Sequence, residues 1–251
     1  MRVRVVTKKA LLAVFCIFLV IGIILGLVAG KVTEASANGK RLPIYSVETA
    51  EKKVAITFDA AWTAQDTSQL IEILGSHNAK ATFFIVGDWA AKFPDSVKAL
   101  YDAGHSIANH SDTHKSFSKC TRAELNGEMV NCNEKLEGIT GSKVSLIRAP
   151  SGDYNDKSIE TAEKLGMTMI QWDVDSLDYT GLSVDEITNR VVGSVKNGSI
   201  ILFHNGVENT APALDRILSA LSEQGYSFVT VDELIYKGNY RIDHTGRQFL
   251  K

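Results

Sequence analysis

Cysteine is scarce: 251 residues hold three. Cys16 lies in an apolar run, which leaves Cys120 and Cys132 with no second pair. That pattern fits neither a zinc ribbon nor a redox Cys-x-x-Cys, and it excludes a disulfide-stapled scaffold. Two buried or half-buried thiols are favoured over one bridge. Positive charge is also short. The net charge is −2, yet residues 1–30 carry Arg2, Arg4, Lys8 and Lys9 and no acid, so the rest of the chain carries −6. A body that acidic is a poor partner for nucleic acid and has no basic face for anionic lipid. Repeats and low-complexity tracts are absent. With 45% apolar and 22% charged residues, the composition is that of a globular chain with apolar mass for a core.

Charge is missing altogether from residues 10–30, a run rich in Leu, Ile and Val. At ~1.5 Å per helical residue such a run spans about 30 Å, the hydrocarbon thickness of a bilayer. The cations of residues 1–9 place the N-terminus inside and the body outside. Ala35-Ser36-Ala37 resembles a signal-peptidase site, so a cleaved signal is the rival reading, in which the body is secreted. The run is longer than the usual apolar core of a signal, which favours an uncleaved transmembrane anchor. Residues 31–45 read as a linker, and 46–251 as one α/β domain.

Within that domain short apolar runs alternate with helical patterns. The strands expected are Val54–Phe58, Ala81–Val86, His105–Ala108, Leu146–Ala149, Thr168–Trp172, Ser199–Phe203 and Ser227–Val229. Asp66 suits the start of a helix running toward Gly75, and Pro94 the first turn of one closing at Gly104. Thr121–Glu124 and Ser183–Glu186 have the form of capping boxes, while Gly166 and Gly225 suit helix C-termini. Seven β-then-α units imply parallel strands, in a doubly wound sheet or a barrel. Chemically capable side chains decide between them. Asp59, the His110/His114 pair, Arg148, the acids Asp173, Asp175 and Asp178, and His204 each follow a different strand. Functional groups at the carboxyl end of one strand after another are the mark of a (β/α) barrel rim. The expected fold is therefore a distorted (β/α) barrel of about seven strands behind one N-terminal transmembrane helix.

Each group has a chemistry to offer. His110 and His114, at i and i+4, share a face of a helical turn and can meet one ion. Asp59 is a potential general base. Arg148 can hold a carboxylate bidentately and keep it ionised. The Pro150-Ser151-Gly152 turn can aim a backbone N–H at an oxyanion. Trp172 to Tyr179 packs acids among aromatics, a composition suited to sugars, with Trp172 itself read as closing its strand into the core.

These segments, in this order, resemble the NodB-type polysaccharide deacetylases, carbohydrate esterase family four. The similarity covers roughly residues 50–236. It is close over Ala-Gly-His-Ser-Ile-Ala-Asn-His-Ser-Asp-Thr-His (Ala103–His114). Gly-Asp-Tyr-Asn after the arginine and Trp-Asp-Val-Asp-Ser-Leu-Asp look most like membrane-anchored, sporulation-type members of Gram-positive spore formers. The resemblance implies a distorted (β/α) barrel that hydrolyses N-acetyl groups on amino-sugar polymers such as peptidoglycan, a hydrolase of non-peptide C–N bonds. It implies Asp59 as general base oriented by Arg148, and His204 as general acid tuned by Asp178. It also implies a divalent metal, zinc-like, on His110 and His114. The Ser151 N–H would serve as oxyanion donor, Leu202 would line the acetyl pocket, and Tyr179 a groove wall. Three positions depart from the family pattern. The usual second aspartate, a metal ligand, is Ala60, so the metal is expected to be weakly held. Ser151 stands for a tyrosine and Tyr179 for a tryptophan. The alternative is a degenerate member that binds cell-wall glycan or a protein partner without catalysis.

Overall fold

A computed structural model describes residues 41–251. The apolar run of 10–30 and the linker up to residue 40 lie outside the described residues. Among those described, no helix is long and apolar enough to cross a membrane.

Eight strands form a parallel sheet. Its path, edge to edge, is β6 (Thr168–Met169), β5 (Leu146–Ile147), β4 (Ser106–Asn109), β3 (Ala81–Ile85), β2 (Lys53–Ala60), β8 (Ile200–His204) and β7 (Val174–Asp175). β9 (Ser227–Phe228) joins the start of β2 at Lys53 and Val54. All seven expected strands are present, several of them shorter than their apolar runs. β7 was not expected. It lies in the acid-rich segment, where polar spacing hides a strand only two residues long.

The barrel does not close by strand pairing. The segment that opens the body runs from the end of β6 to the residues just before β8. Ile44 bridges Ile170, and Ser46 bridges Ser199. The N–H of Gln171 donates to the Ile44 carbonyl at 2.7 Å, and that of Val47 to the Gly198 carbonyl at 2.9 Å. The backbone groups left open at a sheet edge are met here by the chain's own lead-in. Ile44 is fully buried, so the packed body begins inside the segment that the sequence assigns to a linker. β1 (Ser46–Val47) also pairs with β11 (Arg247–Leu250), which pairs with β10 (Tyr240–Ile242), a small second sheet that the sequence did not announce.

Strand alternation sorts the side chains. Ile56, Phe58, Phe83, Ile85, Ile201 and Phe203 face the helices, in one core with Leu70, Leu74, Leu214 and Leu218. Phe58 is in register with Phe83 and Phe203 on its two neighbours and stacks on Phe83 at 4.7 Å. A smaller cluster of Ala55, Phe84, Ala108 and Ile200 fills the barrel, plugged by Ile44 and by Val231 and Leu234 of the short helix Val231–Leu234. Above that plug the next inward residues along β2 and β8 are Thr57, Asp59, Leu202 and His204, and they floor the site.

The helix ends follow the sequence closely. Both capping boxes are formed, at Thr121 and Ser183, each worth about 0.5–2 kcal/mol of local stability. Pro94 opens its helix at the first turn. Asp66 precedes the helix Thr67–Ser76 without a side-chain cap, because its carboxylate accepts the Gly206 N–H at 2.6 Å instead. Cys120 and Cys132 are both free and buried.

Candidate active site

The sheet register brings the first pair together. Asp59 and His204 are Cα partners across β2 and β8. Both line a cavity of about 240 Å³ at the carboxyl ends of the strands, together with His110, His114, Ser151, Tyr179 and Leu202.

Asp59 is buried, and a bare buried carboxylate would take up a proton. Burial does push that way here, but the fields of His110, Arg148 and His204 and a hydrogen bond from Arg148 outweigh it. The carboxyl therefore titrates below the usual aspartate range. Arg148 Nη1 donates to Asp59 Oδ1 at 2.7 Å. The grip is one-point rather than the bidentate one expected. Nη2 turns instead to the Gln171 carbonyl at 3.1 Å. The guanidinium is wholly buried, 4.0 Å from the Phe84 ring centre and 5.3 Å from that of Trp172. One-point contact has a chemical consequence. Oδ2 of Asp59 remains free to take a proton.

His110 is equally constrained. Its Nδ1–H donates to the Arg148 carbonyl at 3.0 Å, since a carbonyl can only accept, and this turns Nε2 toward Asp59 Oδ2 at 3.4 Å. Burial holds the ring neutral, with its pKa down to about 4, and burial lowers that of His114 as well. The two ring centres are 5.1 Å apart and edge-on. They do not sit on a helical turn. The stretch is a loop, with Ser111 (φ 67°) and His114 (φ 61°) both left-handed. Two such residues fold the chain back so that i and i+4 meet by another route.

Among the described residues, no group of three or more His, Cys, Asp or Glu is placed to hold a metal ion. The donors still suit a cation. A neutral imidazole lone pair and an ionised carboxylate oxygen face one another across 3.4 Å, an arrangement that a positive ion between them would relieve. Two protein nitrogens are fewer than the three ligands of catalytic zinc. Ala60 adds nothing. It is fully buried with the apolar residues under the sheet. Asp112 is turned away, its carboxylate 2.6 Å from Lys135 Nζ.

On the opposite wall, Asp178 is buried and its two oxygens accept three hydrogen bonds. They come from His204 Nδ1 (2.8 Å), the His204 N–H (2.8 Å) and Thr210 Oγ1 (2.6 Å). This fixes the ring and leaves Nε2 for the cavity. Burial disfavours the imidazolium, but the Asp178 hydrogen bond and the charges of Asp178, Asp59 and Asp175 prevail, and the His204 pKa is raised. Site chemistry that needs an acid held ionised and a base disposed to keep its proton has both groups in one cavity.

Ser151, left-handed at φ 54°, carries its turn into the cavity wall. Leu202 is buried at the floor, and Tyr179 stands half exposed with its ring 5.0 Å from that of His204. Two tryptophans that the sequence did not assign to the site line it. Trp62, half exposed, lies 5.3 Å from the His204 ring on its other side. An aromatic in a polar loop just past a strand-ending acid was its only signal. Trp172 packs against the apolar cluster inside the barrel, as its core reading expects, and also lines the cavity beside Arg148. Of the acids after the fifth expected strand, Asp175 lines the cavity. Asp173 is structural, accepting from Ser199 Oγ and the Ile200 N–H.

Comparison with known proteins agrees with this geometry. Residues 46–170 match the polysaccharide deacetylase family. A peptidoglycan-N-acetylglucosamine deacetylase of Bacillus cereus is 34% identical over 193 residues, 75% of this chain and 70% of that one. The deacetylase PgdA of Listeria monocytogenes is 32% identical over 228 residues, 86% of this chain but only 48% of its own length. Among solved structures, a pseudoenzyme of the CE4 family from Bacillus anthracis superposes with a TM-score of 0.74 at 32% identity, covering 76% of this chain and 68% of that one. A mutant of that pseudoenzyme has restored enzymatic activity. The chain belongs to the polysaccharide deacetylase family. By fold and by its named relatives its class is polysaccharide deacetylase, a curled parallel α/β half-barrel with the site on its rim.

Proposed function

We propose that this protein hydrolyses N-acetyl groups on an extracytoplasmic amino-sugar polymer such as peptidoglycan, held at the membrane by residues 10–30, in spore formation. One observation carries the chemistry: Asp59 paired with Arg148 and His204 paired with Asp178, on two sides of one cavity. Asp59 Oδ2 takes the proton of the attacking water, and Arg148 keeps the carboxylate ionised to do so. The Ser151 N–H meets the oxyanion as the carbonyl becomes tetrahedral. His204 Nε2 gives its proton to the departing amine, and Asp178 holds the ring and its charge. Leu202 meets the acetyl methyl, while Tyr179 and Trp62 flank the sugar. A divalent ion such as zinc, when held by His110 and His114, would supply Lewis-acid polarisation and a more acidic water.

The test is acetate release from N-acetylglucosamine oligomers and from peptidoglycan, with and without added zinc. Release that Asp59→Asn abolishes supports the reading, and no release from any glycan with any metal would sink it. Fractionation of cells bearing the full chain tests the anchor, and loss of spore cortex modification on deletion tests the setting.

A second reading rests on Ala60, which withholds a charged ligand, and on the similarity to a pseudoenzyme. Here the fold binds glycan without cleaving it. Tight glycan binding with no acetate release distinguishes it.

A further inference from the structure

The histidine loop is an improbable conformation. Ser111 and His114 both occupy the left-handed region, which side-chain-bearing residues rarely adopt. Something must hold it. From below, Asn109 Oδ1 accepts the Ser111 N–H at 2.7 Å, and Ser111 Oγ accepts the His114 N–H at 2.9 Å. From one side, the N–H groups of Gly87 and Asp88 donate to the Ser111 and Asp112 carbonyls. That approach tolerates no side chain, since a Cβ on Gly87 would lie 2.1 Å from Asp112 Oδ1.

The two amides at the apex of the loop, those of Asp112 and Thr113, are held by one carboxylate from elsewhere. Glu128, on the helix Arg122–Thr140, is only 6% exposed. Its Oε2 accepts the Asp112 N–H at 3.0 Å and the Thr113 N–H at 2.8 Å, and its Oε1 accepts the Thr113 hydroxyl at 2.8 Å. Lys115, more than half exposed, places its Nζ 3.4 Å from Oε1. A buried carboxylate facing three donors of the loop between two histidines serves backbone geometry. It touches neither ring.

We propose that Glu128 is a positioning residue. By fixing the amides of Asp112 and Thr113 it sets where His114 stands relative to His110, and so sets the site's capacity to hold a cation and turn over substrate. This rests on the deacetylase reading for its kinetic part alone. What matters is the reach of an acceptor oxygen to two amides, not charge. An amide side chain can keep both N–H bonds through its oxygen while the Thr113 hydroxyl, free to rotate, accepts from its nitrogen.

The test compares Glu128→Gln, which keeps reach and loses charge, with Glu128→Asp, which keeps charge and loses one methylene of reach. Glu134→Leu, on an exposed face of the same helix, is the control. Three readouts are taken on the full chain in detergent: imidazole ¹H–¹⁵N spectra, zinc affinity by calorimetry, and kcat and KM for acetate release. Glu128→Gln is expected within threefold of wild type throughout. Glu128→Asp is expected to shift the His110 and His114 resonances, weaken zinc at least tenfold and lower kcat at least tenfold, with KM changed less than threefold. Wild-type spectra and zinc affinity in Glu128→Asp, or a Glu128→Gln as impaired as Glu128→Asp, would overturn the proposal. The spectra decide it even if wild type releases no acetate, so its failure and that of the deacetylase reading are told apart.

Discussion

Asp59 and His204 sit opposite one another on adjacent parallel strands, each locked to a buried partner of opposite character, Arg148 for the acid and Asp178 for the base. Thr57 and Leu202 are the pair two residues earlier on the same face. A one-residue slip of β8 would turn His204 out toward the helices and put Phe203 into the cavity, so the ladder itself encodes the pairing.

Because both groups act on protons, their removal should cost rate and spare the fold. Asp59→Asn and His204→Ala are each expected to lower kcat ~10²–10⁴-fold, the range for general acid–base groups, with the circular dichroism spectrum retained. Wild-type turnover in either variant removes the mechanism.

Arg148 acts on pH dependence. Asp59 titrates low although burial opposes it, because His110 and Arg148 hold the anion. Without the guanidinium, burial regains weight and the carboxyl pKa rises. In Arg148→Ala the acid limb of the kcat/KM profile should therefore move to higher pH. The variant should also lose about 3–5 kcal/mol, as when one partner of a buried pair is removed. A limb that stays in place contradicts the assignment.

The His204–Asp178 pair has the opposite sign. The His204 pKa is raised in the folded protein, so the pair's stabilisation is complete below the ordinary imidazole value near 6.5. It is lost as pH climbs through the raised one. Asp178→Asn should lower the His204 pKa, seen by NMR titration, and bring the basic limb of the rate profile to lower pH. The destabilisation it causes should shrink as pH rises. A His204 titration unmoved by Asp178→Asn would refute the tuning role.

Two neutral nitrogens hold zinc poorly, so after dialysis the wild-type protein should retain less than one equivalent. Ala60→Asp adds a carboxylate next to Asp59. Because the Ala60 side chain lies in the apolar cluster under the sheet, the substitution is expected to tighten zinc at least tenfold, about 1.4 kcal/mol, only by turning the end of β2 at a cost in Tm, while His110→Ala abolishes binding. Equal affinity in wild type and Ala60→Asp, together with a lower Tm in the latter, would mean that position 60 turns its side chain into the apolar core where Ala60 now packs.

What the sequence by itself determined is local and periodic. Apolar runs marked the strands, Thr121 and Ser183 announced their capping boxes, and acids, histidines and an arginine at successive strand ends marked one rim. These follow from alternation and from capping chemistry, which neighbouring residues dictate. The tertiary structure decided what depends on contacts between distant residues. Arg148 and Asp59 are 89 positions apart, and their contact is one-point because Nη2 is taken by the Gln171 carbonyl, a partner from a third segment of the chain. His110 and His114 meet through a left-handed loop because the helix Arg122–Thr140 offers Glu128 to its amides, and helical spacing could not foresee that. Trp62 and Trp172 both border the cavity because the curl of an unclosed sheet, not the apolarity of a side chain, settles which indole faces the site.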